Sequence, residues 1–68
     1  LPDYIAYRNG DEIVVRNIPE SATVSAYSLT GTVLAREKVS DGTFRISTVQ
    51  PCIIRIVSEK KTSVFKML

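Results

Sequence analysis

Histidine is missing from this chain altogether, and with it the commonest general base and the commonest transition-metal ligand. There is one cysteine, Cys52. An internal disulfide is therefore excluded, and the thiol has no imidazole with which to form a nucleophilic pair. A zinc site would lack nearly every ligand type it prefers. The three glycines, Gly10, Gly31 and Gly42, stand far apart, so no phosphate-cradling loop exists. No Asp-x-Asp-x-Asp type of calcium loop is present. Asp11 and Glu12 are adjacent, but neighbours on a strand point to opposite faces, and both fall at an expected hairpin tip. The serines and threonines have no base to activate them. No enzyme, no metal and no cofactor is expected.

Charge of one sign is also scarce. Nine basic and seven acidic residues leave a net charge of +2, too little to imply a polyanionic partner. Only Lys60 and Lys61 are adjacent, in a polar stretch that reads as a solvated hairpin tip. Aromatic–basic neighbours such as Tyr7-Arg8 and Phe44-Arg45 are few and scattered, a poor stacking platform, so nucleic acid is not expected. No apolar run approaches the roughly 20 residues of a membrane-spanning helix, which argues against membrane insertion. Leu1-Pro2-Asp3 is not the start of a signal peptide. With a first residue other than Met, the chain is expected to be the C-terminal module of a longer exported precursor.

What the chain has in quantity is β-branched and aromatic residues between short turns. The hydrophobic share is 44% and the charged share 24%, the composition of a globular domain rather than a disordered one. Turn signals fall at Asn9-Gly10-Asp11, Ile18-Pro19-Glu20-Ser21, Thr30-Gly31, Ser40-Asp41-Gly42, Gln50-Pro51 and Ser58-Glu59-Lys60-Lys61. They separate seven segments, at 3–8, 12–18, 22–29, 32–39, 43–49, 52–58 and 62–68. Period-two alternation puts Ile13 and Val15 on one face of the second, and Phe44 and Ile46 on one face of the fifth. In the sixth, Cys52, Ile54 and Ile56 share a face, making Cys52 a buried structural thiol. In the third, Val24 and Ala26 alternate correctly while Tyr27 and Leu29 fall on the wrong parity. Either a β-bulge near Tyr27 returns both sets to the core, or the strand is buried on both faces. Val33 to Val39 is the one stretch with helical character, too short and too closely flanked by glycine to stand as a helix. The pattern predicts a single all-β domain over residues 1–68, an immunoglobulin-like β-sandwich of about seven short antiparallel strands.

One run is more specific. Residues 22–34, with Val24, Tyr27, Leu29, Gly31, Val33 and Leu34 in place, resemble the pattern V-x-φ-Y-(D/N)-L-x-G-x-φ-φ (φ apolar). That is the signature of the C-terminal sorting domains of type IX secretion cargo in Bacteroidetes. The order of that family continues through the Asp41-Gly42 turn, Phe44-Arg45-Ile46-Ser47 for F-x-I-S, and Ile53-Ile54-Arg55-Ile56 for the strand ending in R-I. Lys66-Met67-Leu68 is similar to the closing K-φ-φ. The chain departs from the family at Gln50-Pro51-Cys52, where the pattern has glycine and tyrosine. The resemblance covers residues 12–68. It implies a seven-stranded sandwich that is a ligand rather than a catalyst. An outer-membrane translocon would read it, and a sortase-like peptidase would then remove it and attach the cargo to the cell surface. The surface expected to be read is residues 58–68, above all Lys66, Met67 and Leu68. Gly31 is expected to be structural, turning a hairpin whose arms bring Leu29 and Val33 inward. Two other functions suit the composition: an adhesion or glycan-binding module, which needs an exposed row among Tyr4, Tyr7 and Tyr27, and a structural spacer pairing through an edge strand.

Overall fold

The computed structural model describes residues 4–68, so Asp3, where the first expected segment starts, lies outside the described residues together with Leu1 and Pro2. The seven strands are β1 (Ile5–Asn9), β2 (Glu12–Arg16), β3 (Thr23–Ser28), β4 (Val33–Lys38), β5 (Thr43–Ser47), β6 (Cys52–Val57) and β7 (Thr62–Met67). Each of the seven expected segments supplies one strand, including the stretch with helical character, which forms β4. They pair antiparallel in two sheets, β1-β2-β5 and β4-β3-β6-β7. The all-β sandwich is as expected. Its fourth strand joins the sheet of β3, β6 and β7, whereas in a constant-type immunoglobulin domain that strand lies with the first, second and fifth.

The inward faces are those set by the period-two pattern. Ile13, Val15 and Phe44 from one sheet meet Val24, Ala26, Cys52, Ile54 and Ile56 from the other, all at most 1% exposed. Dispersion and the removal of this apolar surface from water hold the sheets together. Ile18, Ala22 and Val39 close one end of the core from the connections. Those two crossovers bond to each other: the Ile18 amide to the Gly42 carbonyl (3.1 Å), the Ser21 amide to Val39 (2.9 Å) and the Val39 amide to Ala22 (2.9 Å). Pro19, which has no amide hydrogen, serves there as an acceptor, taking the Ala22 amide at 3.2 Å. At the other end, Gly10 opens the two-residue β1–β2 turn at φ 66°, a position where only glycine avoids a Cβ penalty.

β3 corrects the sequence reading. Its pairing with β4 is irregular between Ala26 and Tyr27, as a bulge requires. The extra residue is Leu34 of β4, because Ala26 faces Ala35 and Tyr27 faces Val33. Pairing with β6 runs on unbroken through Tyr27–Ile53 and Ser28–Cys52. The bulge therefore brings neither Tyr27 nor Leu29 to the core. β3 is bonded on both sides, and a slip within it would disrupt two ladders. β4 lies at the sheet edge and absorbs the extra residue at the cost of one. Leu29 and Val33 are 52% and 49% exposed, so the arms of the Gly31 hairpin do not pack inward either.

The turn itself is formed as expected. Gly31 sits at φ 97°, and its amide bonds to the Ser28 carbonyl at 3.0 Å while the Ser28 amide bonds to Thr32 at 2.8 Å. A Cβ on Gly31 would meet no atom within 4 Å, so a substitution there is strained by conformation and not by crowding. Gly31→Ala is expected to cost about 1–2 kcal/mol, read as a lower urea midpoint with an unchanged slope.

Candidate recognition surface

Among the described residues β7 is an edge strand, bonded to β6 alone. Its side chains alternate: Phe65 and Met67 pack against the core, while Val64, Lys66 and then Leu68 face out. The three residues expected to be read are thus divided by the pleat. Lys66 and Leu68 (78% exposed) are presented, and Met67 anchors them.

The anchoring is completed by Arg8, reaching over from β1 of the opposite sheet. Its Nε donates to the Leu68 carbonyl at 3.1 Å and its Nη2 to Gln50 at 2.9 Å, and Nη1 bonds the Thr48 carbonyl. One guanidinium with its donors in a fixed fork therefore holds the end of β7 and the β5–β6 connection together. Sequence reasoning passed over Arg8. Apolar parity in this strand points to Ile5 and Tyr7, whereas the structure turns Ala6 and Arg8 toward the core, where a cation needs partners. Cys52 is free and fully buried nearby. Burial raises its thiol pKa, and the Arg8 charge pulls it down by less, so it stays protonated and inert at neutral pH.

Ser28, Cys52 and Met67 are aligned across three strands. The next residues outward on each are Leu29, Pro51 and Leu68, all exposed. With Val49, 76% exposed, they make an apolar rim at this end of the sandwich.

On the outer face of the four-stranded sheet, Arg36 Nε donates to Ser25 Oγ at 3.0 Å and Nη2 to the Tyr27 hydroxyl at 3.3 Å. Arg36 explains why Ser25 is only 3% exposed although it points away from the core. The hydrogen bond from Arg36, followed by that from Ser25, lowers the Tyr27 pKa, with Arg55 contributing less. Phenolate absorbance assigned by subtracting a Tyr27→Phe variant is expected to rise below the ordinary tyrosine value of 10.0, and Arg36→Ala is expected to move it back up. Because the folded pKa is depressed, Tyr27 favours the native state once pH exceeds its folded pKa, and that contribution is lost again as pH falls through it.

The other sequence-level candidates lie apart. Tyr7 is on the outer face of the three-stranded sheet, Tyr27 on that of the four-stranded sheet, and Tyr4 at the seam between β1 and β7. Tyr4, Tyr7 and Tyr27 therefore form no aligned row among the described residues. Tyr4 stacks on Phe65 (6.4 Å between centroids) and carries Lys61 Nζ 5.6 Å from its ring. Its hydroxyl has no hydrogen-bond partner among the described residues and lies beside a depression of about 410 Å³ lined by Tyr4, Ala6, Ser63 and Phe65. Lys60 and Lys61 do lie at a hairpin tip, closed by the Ser58 amide on the Lys61 carbonyl at 2.9 Å. Glu12 Oε1 stands 3.4 Å from Arg45 Nη1. Among the described residues no group of three or more Cys, Asp or Glu side chains is placed to hold a metal ion.

Fold and surface together define a small β-sandwich whose last strand lies at a sheet edge with its end held by Arg8. No family model, no curated protein and no solved structure matches the chain.

Proposed function

We propose that the domain is a non-catalytic sorting signal, read at β7 by a type IX secretion translocon and exported to the cell surface with its cargo. The observation that carries this reading is the presentation of Lys66 and Leu68 on an exposed edge strand, with Met67 packed beneath and Arg8 bonded to the Leu68 carbonyl. An address must keep one shape while a receptor finds it, and a strand end fixed from two directions loses little further entropy on binding. The seven-stranded sandwich also agrees with the architecture implied by the resemblance of residues 12–68 to that family. On this reading the sortase-like peptidase acts on the domain, which performs no reaction itself.

The test is a fusion of residues 1–68 to the C-terminus of a periplasm-directed fluorescent protein in a type IX-competent bacterium. The fusion is expected at the cell surface and the reporter alone in the periplasm. Retention of a folded fusion in the periplasm would refute the proposal.

A further inference from the structure

The outer face of the four-stranded sheet has an uneven charge. The ladders align Lys38, Thr23, Val57 and Thr62 in one row, Arg36, Ser25, Arg55 and Val64 in the next, and Tyr27, Ile53 and Lys66 in a third. Four of the chain's nine basic residues, Arg36, Lys38, Arg55 and Lys66, thus share one face. No described acidic residue lies on it. Asp11, Glu20, Asp41 and Glu59 are in turns, Glu12 is on the other sheet, and Glu37 faces Val24, on the opposite parity of β4. The even spread of charge along the sequence conceals this, because residues far apart in the chain are brought to one side by strand pairing.

The face is also partly apolar. Val64 is 60% exposed in the same row as Arg55, and Ile53 and Val57 lie half-buried among the cations. A nucleic acid or an anionic polysaccharide would neutralise the charges and leave these side chains wet. A protein surface that interleaves carboxylates with apolar side chains would satisfy both, and Arg and Tyr beside aliphatic residues are the composition enriched at protein interfaces. Arg36 is already oriented by Ser25 and Tyr27, so its remaining donors are fixed in direction before any partner arrives. The face measures about 14 Å across its strands and about 20 Å along them, so a partner that buries the roughly 1,000 Å² of a specific interface must also reach past its edges.

We infer that the outer face of β4-β3-β6-β7 is a docking surface for an acidic protein partner, with Arg36, Arg55 and Tyr27 at its centre. The inference stands whether or not the domain is a sorting signal. Contact of this kind is steered by charge, so its association rate falls as salt screens the face.

The test is zero-length carbodiimide coupling in cells that produce the full-length protein, which joins lysine amines only to carboxylates in contact with them. Adducts are located by mass spectrometry. Lys38 or Lys66 is expected to be joined to Asp or Glu of a second polypeptide. The yield should fall at least tenfold in an R36E/R55E variant and stay at the wild-type level in R16E/K60E, which carries the same change of charge elsewhere. Circular dichroism of each purified domain confirms that it remains folded. If R36E/R55E does not fold, R36Q/R55Q, which removes the charges without reversing them, takes its place. Lack of an adduct at both lysines, or adducts undiminished in the variant, would overturn the inference. So would adducts to this chain's own acidic peptides in a second copy. Binding of the purified wild-type domain to anionic polysaccharide or anionic-lipid vesicles with no peptide adduct would assign the face to those ligands instead. Surface export of the fluorescent fusion, scored separately, reports on the sorting proposal alone.

Discussion

Phe44→Ala is expected to leave the domain largely unfolded at 37 °C. Phe44 is 1% exposed and is the largest fully buried side chain of the core. Truncating a buried Phe to Ala typically costs about 3–5 kcal/mol, as lost transfer energy and as an unfilled cavity. A chain of this length has about 3–10 kcal/mol of total stability, so the loss is comparable with the whole. Neither sheet can collapse onto the gap without breaking the β2–β5 ladder, in which Phe44 faces Val15. The neighbouring change Arg45→Ala removes only an exposed contact to Glu12, worth at most about 1 kcal/mol. Thermal unfolding followed by far-UV circular dichroism distinguishes the two. A fall of more than about 15 °C is expected for Phe44→Ala, and a fall of a few degrees would show that the core is not closed around this ring.

Arg8→Leu is expected to cost about 2 kcal/mol, since hydrogen bonds from a charged donor are the stronger ones but two of these three are exposed and water can replace them. Leucine keeps an apolar stem at the position and removes all three donors. Its effect should be local before it is global. In hydrogen exchange, the amides of β7 and of the β5–β6 connection lose protection first, while β3 and β6 stay protected at the centre of the sheet. Arg8→Lys keeps the charge, but lysine is a point donor and cannot span three carbonyls, so only partial recovery is expected. Uniform loss of protection in the Leu variant would mean that Arg8 supports the whole fold rather than the end of β7.

Arg8 also shows where sequence reasoning stops. Alternation identified which residues of β2, β5 and β6 face inward, because burial on one side of a pleat is a local pattern of period two. Which strands become neighbours is decided by long-range pairing, and no local pattern records it. The sheet chosen by β4 was therefore not legible, nor was the convergence of Arg36, Arg55 and Lys66 on one face. Tyr27 and Leu29 misled for a related reason. Their parity signalled an irregularity, which exists, but the strand that absorbed it was the edge partner. At the chain's end Lys66, Met67 and Leu68 were expected to be read together, and the pleat separates them by turning Met67 toward the core. The guanidinium that fixes them comes from a residue 60 positions away, which only the folded chain brings near.

Removing Lys66, Met67 and Leu68 together would take away a core contact and the carbonyl that Arg8 holds, so lost export would not separate a lost address from a lost fold. Changing only the outward-facing pair does separate them. In the fluorescent fusion, Lys66→Glu with Leu68→Ser leaves Met67 and the Leu68-position carbonyl in place. Its melting temperature is expected within about 4 °C of wild type, as for exposed substitutions. The expected result is a folded fusion that stays in the periplasm. A folded double variant that reaches the surface as efficiently as wild type would contradict the assignment of β7 as the element that is read.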